Sequence, residues 1–231
     1  IEPRSKEIER EITHKWDLLD KPQKSLGNIE KMVAKYAAMV GSEFPGELKA
    51  AMLLMCGDHG IAKYGVSAYP PEVTIQMING YVRGTAGANV MARHANTDLF
   101  VVDVGVNADL SNLKYVRNEK VALGTEDFTK GPAMTKDQAI KGIQAGIKVA
   151  DECIDRGYNL LVTAEMGIGN TTSTAAIASA MLKLEPELTV GRGTGINDER
   201  MQIKRRVVAE GLEANKPVSN DALDVLCKLG G

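Results

Sequence analysis

The chain has 231 residues, of which 44% are hydrophobic and 25% charged, with a formal net charge of −2. That length and balance describe a globular protein with a substantial core, and they exclude a general attraction to nucleic acid or anionic membranes. Aromatic residues make up only 4%, too few for a platform on which single-stranded bases stack.

Cys56, Cys153 and Cys227 are widely spaced and form no CxxC pair. This argues against a disulfide framework or a zinc knuckle and for a reducing cytoplasm. No apolar run approaches the ~20 residues of a membrane span.

Residues 4–20 carry Ile8, Ile12, Trp16 and Leu19 at helical spacing, which predicts a helix ending before Lys21-Pro22. Ser25 is positioned to cap a second helix with Ile29, Met32, Val33 and Tyr36 on its inward face. From Ala50 the rhythm changes. AAMLLMC (50–56) is a short apolar run that stops at Gly57-Asp58-His59-Gly60, the pattern of a buried parallel strand feeding a polar loop. A helix follows with Val73, Met77, Ile78 and Tyr81 inward, is interrupted at Gly84 and Gly87, and resumes to about His94. Residues 98–106 give a second strand and 107–129 read as irregular. Thr135 and Gln138 form a capping box for a helix whose face is Ile140, Ile143, Ile147, Ala150 and Ile154, stopped by Gly157. Residues 159–165 give the third strand. A small-residue helix, a helix over 198–215 and a last helical piece to Gly231 complete the chain.

Strands alternating with helices predict an α/β, three-layer, Rossmann-like fold with a mostly parallel sheet. A helical N-terminal part (1–45) is expected to precede an α/β domain (46–231). Ligands of open α/β sheets sit beyond the carboxyl ends of the strands. The ends at Asp58-His59-Gly60, Asp103-Val-Gly105 and Glu165-Met-Gly167 are therefore expected to meet in one cleft.

GIGNTTS (167–173) is the sharpest signal. Gly167 and Gly169 allow a bend at a helix N-terminus, and Asn170, Thr171, Thr172 and Ser173 add polar groups, the makings of a phosphate site. The segment has neither the lysine of an ATP-binding P-loop nor the full GxGxxG spacing. An ordinary tight turn between strand and helix is the alternative. Glu165 beside it can stabilise a cationic sugar centre or take a proton, or it can be a structural acid. Arg192 of GRGTGIND (191–198) and Lys204 are candidate phosphate partners, although Lys204 alone reads as a surface charge. Asp58, His59 and Asp103 suggest a metal hydrolase only if a further ligand joins them, and a histidine bonded to the loop backbone is the simpler reading. Tyr69, Met77 and Tyr81 can wall a pocket for a flat ring or belong to the core.

Eight stretches in order resemble the nicotinate-nucleotide–dimethylbenzimidazole phosphoribosyltransferase family. They are KPQKSLGNIE (21–30), GDHGIAKYGVSAYPPEVT (57–74), RGTAG (83–87), VVDVGV (101–106), KGPAMT (130–135), EMGIGNTTS (165–173), GRGTG (191–195) and DVLCKLGG (224–231). The resemblance implies transfer of phosphoribosyl from nicotinate mononucleotide to 5,6-dimethylbenzimidazole or a related base. The products are α-ribazole phosphate and nicotinate, in cobamide biosynthesis. It also implies a homodimer and neither metal nor organic cofactor. By the same resemblance Glu165 is an active-site glutamate, the GIGNTTS backbone and Lys204 hold the phosphate, and Asp58, His59, Ser67, Tyr69 and Met77 belong to the base pocket.

Two departures accompany it. Family members continue past the position of Gly231 with a Gly-Glu-Gly segment whose glutamate is their main general base. The expectation is therefore a fragment, or an incomplete nucleotide-binding subunit that needs a partner for activity. Tyr69 and Met77 also replace the Ser and Gln of well-known members, a lining suited to other benzimidazoles, purines or phenolic bases.

Overall fold

A computed structural model of the chain describes residues 3–231. It divides into two compact units, Ile1–Leu48 and Lys49–Gly231. Among the described residues no helix is long and apolar enough to cross a membrane.

The first unit is a helical pair, α1 (Lys6–Leu18) and α2 (Asn28–Val40). Ser5 caps α1 by accepting from the Ile8 amide. Ile12, with Ile8 and Trp16 beside it, packs on Ala34 and Ala37 of α2. The expected inward face of α2 is wrong. Ile29, Met32 and Val33 are exposed, and Glu30, Ala34, Ala37 and Ala38 are buried. Bulky side chains on α1 fill the interface, so α2 contributes its alanine stripe and the two backbones approach closely. Ser25 is not the cap either. α2 begins after Gly27 with no side-chain cap, and the Glu30 carboxylate instead accepts from the Leu26 amide.

The second unit is built on a parallel sheet of β1 (Ala50–Gly57), β2 (Thr97–Gly105), β3 (Val116–Asn118) and β4 (Leu160–Met166) in the order β3-β2-β1-β4. β3 lies inside the stretch read as irregular, because three residues are too few to display strand alternation. Helices α3 (Val73–Arg83), α4 (Gly87–His94) and α5 (Lys136–Asp155) accompany the first three strands. After β4 come α6 (Asn170–Leu182), α7 (Pro186–Thr189), α8 (Asp198–Asn215) and α9 (Ala222–Leu229). Alternate residues of β1 face opposite layers, as the pleat requires. Ala51 and Leu53 pack with Val102 against Val149 and Cys153 of α5, while Leu54 and Cys56 pack with Val101 against Ile78 of α3. A third cluster joins Phe128 to Ala175 and Ala176 of α6, Val207 and Val208 of α8, and Val225 and Leu229 of α9.

The capping box of α5 forms, with reciprocal bonds between Thr135 and Gln138. The expected apolar face does not. Ala139, Ala145, Val149 and Cys153 are buried, and Ile143, Ile147 and Ile154 are exposed. The reason repeats that of α2. Met55, Val102 and Val104 give the sheet face its bulk, and the helix meets it with smaller side chains.

β1 is central, β2 and β3 lie to one side of it and β4 to the other. The chain therefore reverses its winding between β1 and β4, the position at which open α/β sheets form a crevice.

The loop before Phe128 is fastened to the short 3-10 helix Gly60–Tyr64 by Asp127. Its buried carboxylate accepts from the Tyr64 hydroxyl at 2.7 Å, the Thr129 hydroxyl at 2.7 Å and the Thr129 amide at 3.0 Å, and pairs with Lys63 at 2.9 Å. Burial opposes ionisation, but the bonds from Thr129, Tyr64 and Lys63 outweigh it and bring the pKa from 3.8 down to about 2. A depressed carboxylate stabilises the fold fully above its unfolded value and loses that contribution as pH falls through its folded value. The contribution is about 2 kcal/mol near neutrality. Asp127→Asn should therefore destabilise by roughly that amount near neutral pH, with a gap to wild type that narrows between about pH 5 and pH 2. Denaturant titrations across that range measure it, and a gap independent of pH would refute the assignment.

Candidate functional site

At the crevice, Gly167 lies against the end of β1. A Cβ at that position would overlap the Gly57 carbonyl oxygen and stand 2.9 Å from Glu165 Oε1 and 3.0 Å from His59 Nε2. No side chain fits there, and the close approach draws His59 to the end of β4. His59 is buried, with Nδ1 3.2 Å from Ser173 Oγ and Nε2 4.0 Å from Glu165 Oε1. The Asn170 amide group donates to Glu165 Oε2. The Glu165 side chain is 46% exposed, so its carboxylate is oriented from behind and open in front. Cys56 senses the same convergence. Burial, followed by the charges of Glu165, Asp103 and Asp58, pushes its thiol up to about 12, so it is not a nucleophile at neutral pH.

The GIGNTTS loop turns at Gly169, whose φ of +99° falls in the left-handed region open to glycine. Its amides are largely engaged within the protein. Ile168 donates to Thr74 Oγ1, Asn170 to the Gly167 carbonyl, Thr171 to Asn170 Oδ1 and Thr172 to the Gly169 carbonyl. Anion recognition therefore leans on side chains more than a bare backbone cradle would. Lys204 supplies the charge. It is 1% exposed, donates to Thr171 Oγ1 at 2.7 Å and to the Gly191 carbonyl at 3.2 Å, and has its pKa lowered by burial. The surface-charge reading of this lysine is thus overturned. An ammonium has three donors and a hydroxyl one, so Lys204 keeps one proton, and Thr171 its own, for an anion.

The other expected site residues separate into groups. Thr172 is fully buried and Ser173 nearly so. Arg192 is spent on the Ile196 carbonyl at 2.8 Å and Asp198 at 2.5 Å. Ser67 and Tyr69 lie beside the GRGTG segment, with Ser67 Oγ 3.0 Å from Thr194 Oγ1. Met77 is half-buried and Tyr69 exposed. Tyr81 is half-buried in the α3 layer, and burial, then Cys56 and Glu165, raise its phenol pKa. Asp58 and His59 line a cavity of about 290 Å³ together with Pro71, Glu72, Asn107 and Thr125.

Asp103 does not join His59. It is buried, accepts from the Gly105 and Val106 amides and pairs with Lys120 at 3.2 Å. Its charge is thus already neutralised at the end of β2. Among the described residues no cluster of three or more His, Cys, Asp or Glu could hold a metal ion. Thr194 and Arg200, whose contacts reach Ser67 and Ala68, carry no sequence signal of their own. The GRGTG glycines were the only pointer to them.

Lys204→Met keeps the chain length and removes the charge. Inorganic phosphate affinity should fall at least about tenfold. The melting temperature should hold or rise, because a buried charge is exchanged for apolar bulk. Calorimetry with phosphate and a thermal melt test both, and unchanged phosphate affinity would dismiss Lys204 as the anion partner.

Comparisons with known proteins identify the family. A profile described as Phosphoribosyltransferase matches residues 1–231. The chain is 44% identical over 215 residues to the nicotinate-nucleotide–dimethylbenzimidazole phosphoribosyltransferase of Chloroflexus aggregans, covering 93% of this chain and 61% of that protein. The Clostridium tetani enzyme of the same name is 37% identical, covering 100% of this chain and 64% of its own length. The chain thus spans a little under two thirds of these relatives. The crystal structure of CobT from Thermus thermophilus superposes with a TM-score of 0.90 at 39% identity, covering 97% of this chain and 67% of that one. Matched along its whole length in sequence and nearly all of it in fold, the chain belongs to the phosphoribosyltransferase family.

Proposed function

We propose that the chain binds nicotinate mononucleotide and takes part in transferring its phosphoribosyl group to 5,6-dimethylbenzimidazole or a related lower-ligand base. The products are α-ribazole phosphate and nicotinate, in cobamide biosynthesis. The observation that carries this reading is the offset of two opposite charges along one loop. Lys204 is bonded to Thr171, and Glu165 to Asn170, the preceding residue. A ribose 5-phosphate makes the matching two demands, with a dianion at one end of the sugar and C1′ at the other.

The phosphate is held by Lys204, the Thr171 hydroxyl and the N-terminus of α6. Glu165 faces C1′. Nicotinate departs with the bonding pair, which neutralises its ring nitrogen, and the positive character that develops at C1′ is stabilised by the carboxylate. The unprotonated ring nitrogen of the incoming base attacks the opposite face, so the β-nucleotide yields an α-riboside, and the N–H proton on the other ring nitrogen passes to solvent water. Tyr69 and Met77 give the base side a lining that suits flat, largely apolar rings.

The remaining expectations belong to the same proposal. Pairing with a second copy is supported by exposed Ile29, Met32 and Met39 along α2. A reducing, cytoplasmic setting is supported by three free, buried cysteines. A second reading, a nucleotide-binding subunit whose site is completed by a partner, draws on the openness of Glu165, since catalytic carboxylates gain strength when water is excluded.

Incubation of the chain with nicotinate mononucleotide and 5,6-dimethylbenzimidazole should release nicotinate. Glu165→Gln should lower kcat by on the order of a hundredfold, with nucleotide affinity changed little. Tight nucleotide binding without nicotinate release would favour the binding subunit, and equal rates in wild type and variant would remove Glu165 from the chemistry.

A further inference from the structure

The GRGTG segment is a strap pinned at both ends. Val190 and Ile196 are buried, and residues 191–195 between them are exposed. A turn stiffens it, since the Gly195 and Ile196 amides donate to the Arg192 carbonyl and Arg192 reaches the Ile196 carbonyl and Asp198.

One end of the strap covers the phosphate cation. The Gly191 carbonyl accepts from Lys204. Gly193, at a φ of +52°, lies so close that a Cβ would stand 2.9 Å from Thr171 Oγ1 and 3.2 Å from Lys204 Nζ. The next residue touches the other substrate's side. Thr194 Oγ1 accepts from the Ala68 amide at 2.8 Å and lies 3.0 Å from Ser67 Oγ. Ser67 Oγ in turn accepts from the Tyr69 amide at 3.3 Å, and Arg200 holds the Ser67 carbonyl at 2.5 Å.

Resting on the nucleotide reading above, we infer that Thr194 is a positioning residue that couples phosphate binding at Lys204 to the order of the base-side loop 67–69. An anion arriving at Lys204 takes the ammonium proton left free and draws Nζ toward itself, which weakens the bond to the Gly191 carbonyl. A strap fixed at both ends and stiffened within cannot absorb that change locally, and adjacent Cα atoms are only about 3.8 Å apart. The displacement therefore reaches Thr194, whose single hydroxyl serves Ser67 and Ala68 together. A nucleotide in place presents a settled base pocket, and the base binds second with higher affinity, a reciprocal coupling between two sites.

The test follows hydrogen exchange at residues 66–70 with and without inorganic phosphate, in wild type, Thr194→Val and Thr194→Ser. Calorimetry on the same samples reports phosphate and nicotinate mononucleotide binding. Phosphate should slow exchange at Ala68 and Tyr69 in wild type and in the serine variant, which keeps the hydroxyl. In the isosteric valine variant phosphate should still bind, but the slowing should vanish. The enhancement of 5,6-dimethylbenzimidazole affinity by bound nucleotide should be lost in the valine variant alone, a change on the order of fivefold or more. Equal slowing in the valine variant, or phosphate binding to wild type without slowing, would overturn the coupling. Wild type that binds neither phosphate nor nucleotide would instead overturn the nucleotide reading beneath it.

Discussion

The site depends on one contact between backbones, Gly167 against the Gly57 carbonyl. A Cβ at Gly167 would overlap that oxygen, so the glycine lets the loop after β4 lie across the end of β1. From this approach follow the 4.0 Å separation of His59 and Glu165, the seat of Ser173 against His59, and the entry of α6 at Gly169. β1 and β4 are neighbours from residue 50 onward. The sheet register therefore delivers both ends to the same level, and the missing side chain lets the last step close.

Two ionised groups meet this loop in opposite surroundings, and the contrast suits two tasks. Lys204 is enclosed, with its pKa lowered by burial. Enclosure costs stability in the free protein, where two hydrogen bonds compensate only in part. A dianion returns that cost on binding, because opposite charges attract more strongly in a low-dielectric setting. Glu165 is oriented by Asn170 and half open. An open carboxylate gains strength only when a substrate displaces the water in front of it. On the proposed function, affinity is thus concentrated at the enclosed end and chemistry at the open end.

Much of this was legible in the sequence, for identifiable reasons. The runs at 50–56 and 98–106 are strands whose buried residues leave an apolar signature, and the run at 159–165 leaves one although β4 is only half-buried. Glycine and threonine spacing in GIGNTTS and at Thr135 marks turns and caps through backbone chemistry that needs no partner. The α2 and α5 faces were misread for a shared reason. Apolar periodicity locates the bulkiest stripe, whereas a helix pressed against bulky neighbours buries its alanines. β3 was too short to show a period. Burial of Lys204 was invisible because it comes from a strap lying over it from residues 191–193, and a charged residue in a polar helix gives no hint of a roof. The role of Asp103 was similarly hidden, since its partners are two backbone amides and a lysine from another loop.

The strap also bears on how specificity is set. Base-side residues Ser67 and Tyr69 stand on a loop that is half-exposed and has little core of its own. A loop of that kind is inexpensive to reshape between relatives, which suits a pocket that must accept different rings. Its order must then come from elsewhere, and hydrogen bonds with Thr194 and Arg200 supply it. Both residues belong to elements fixed by the phosphate side, the strap over Lys204 and the first turn of α8. On the proposed function the lining can vary without loosening the nucleotide end, because the frame that holds the lining is anchored beside Lys204, the proposed partner of the substrate phosphate.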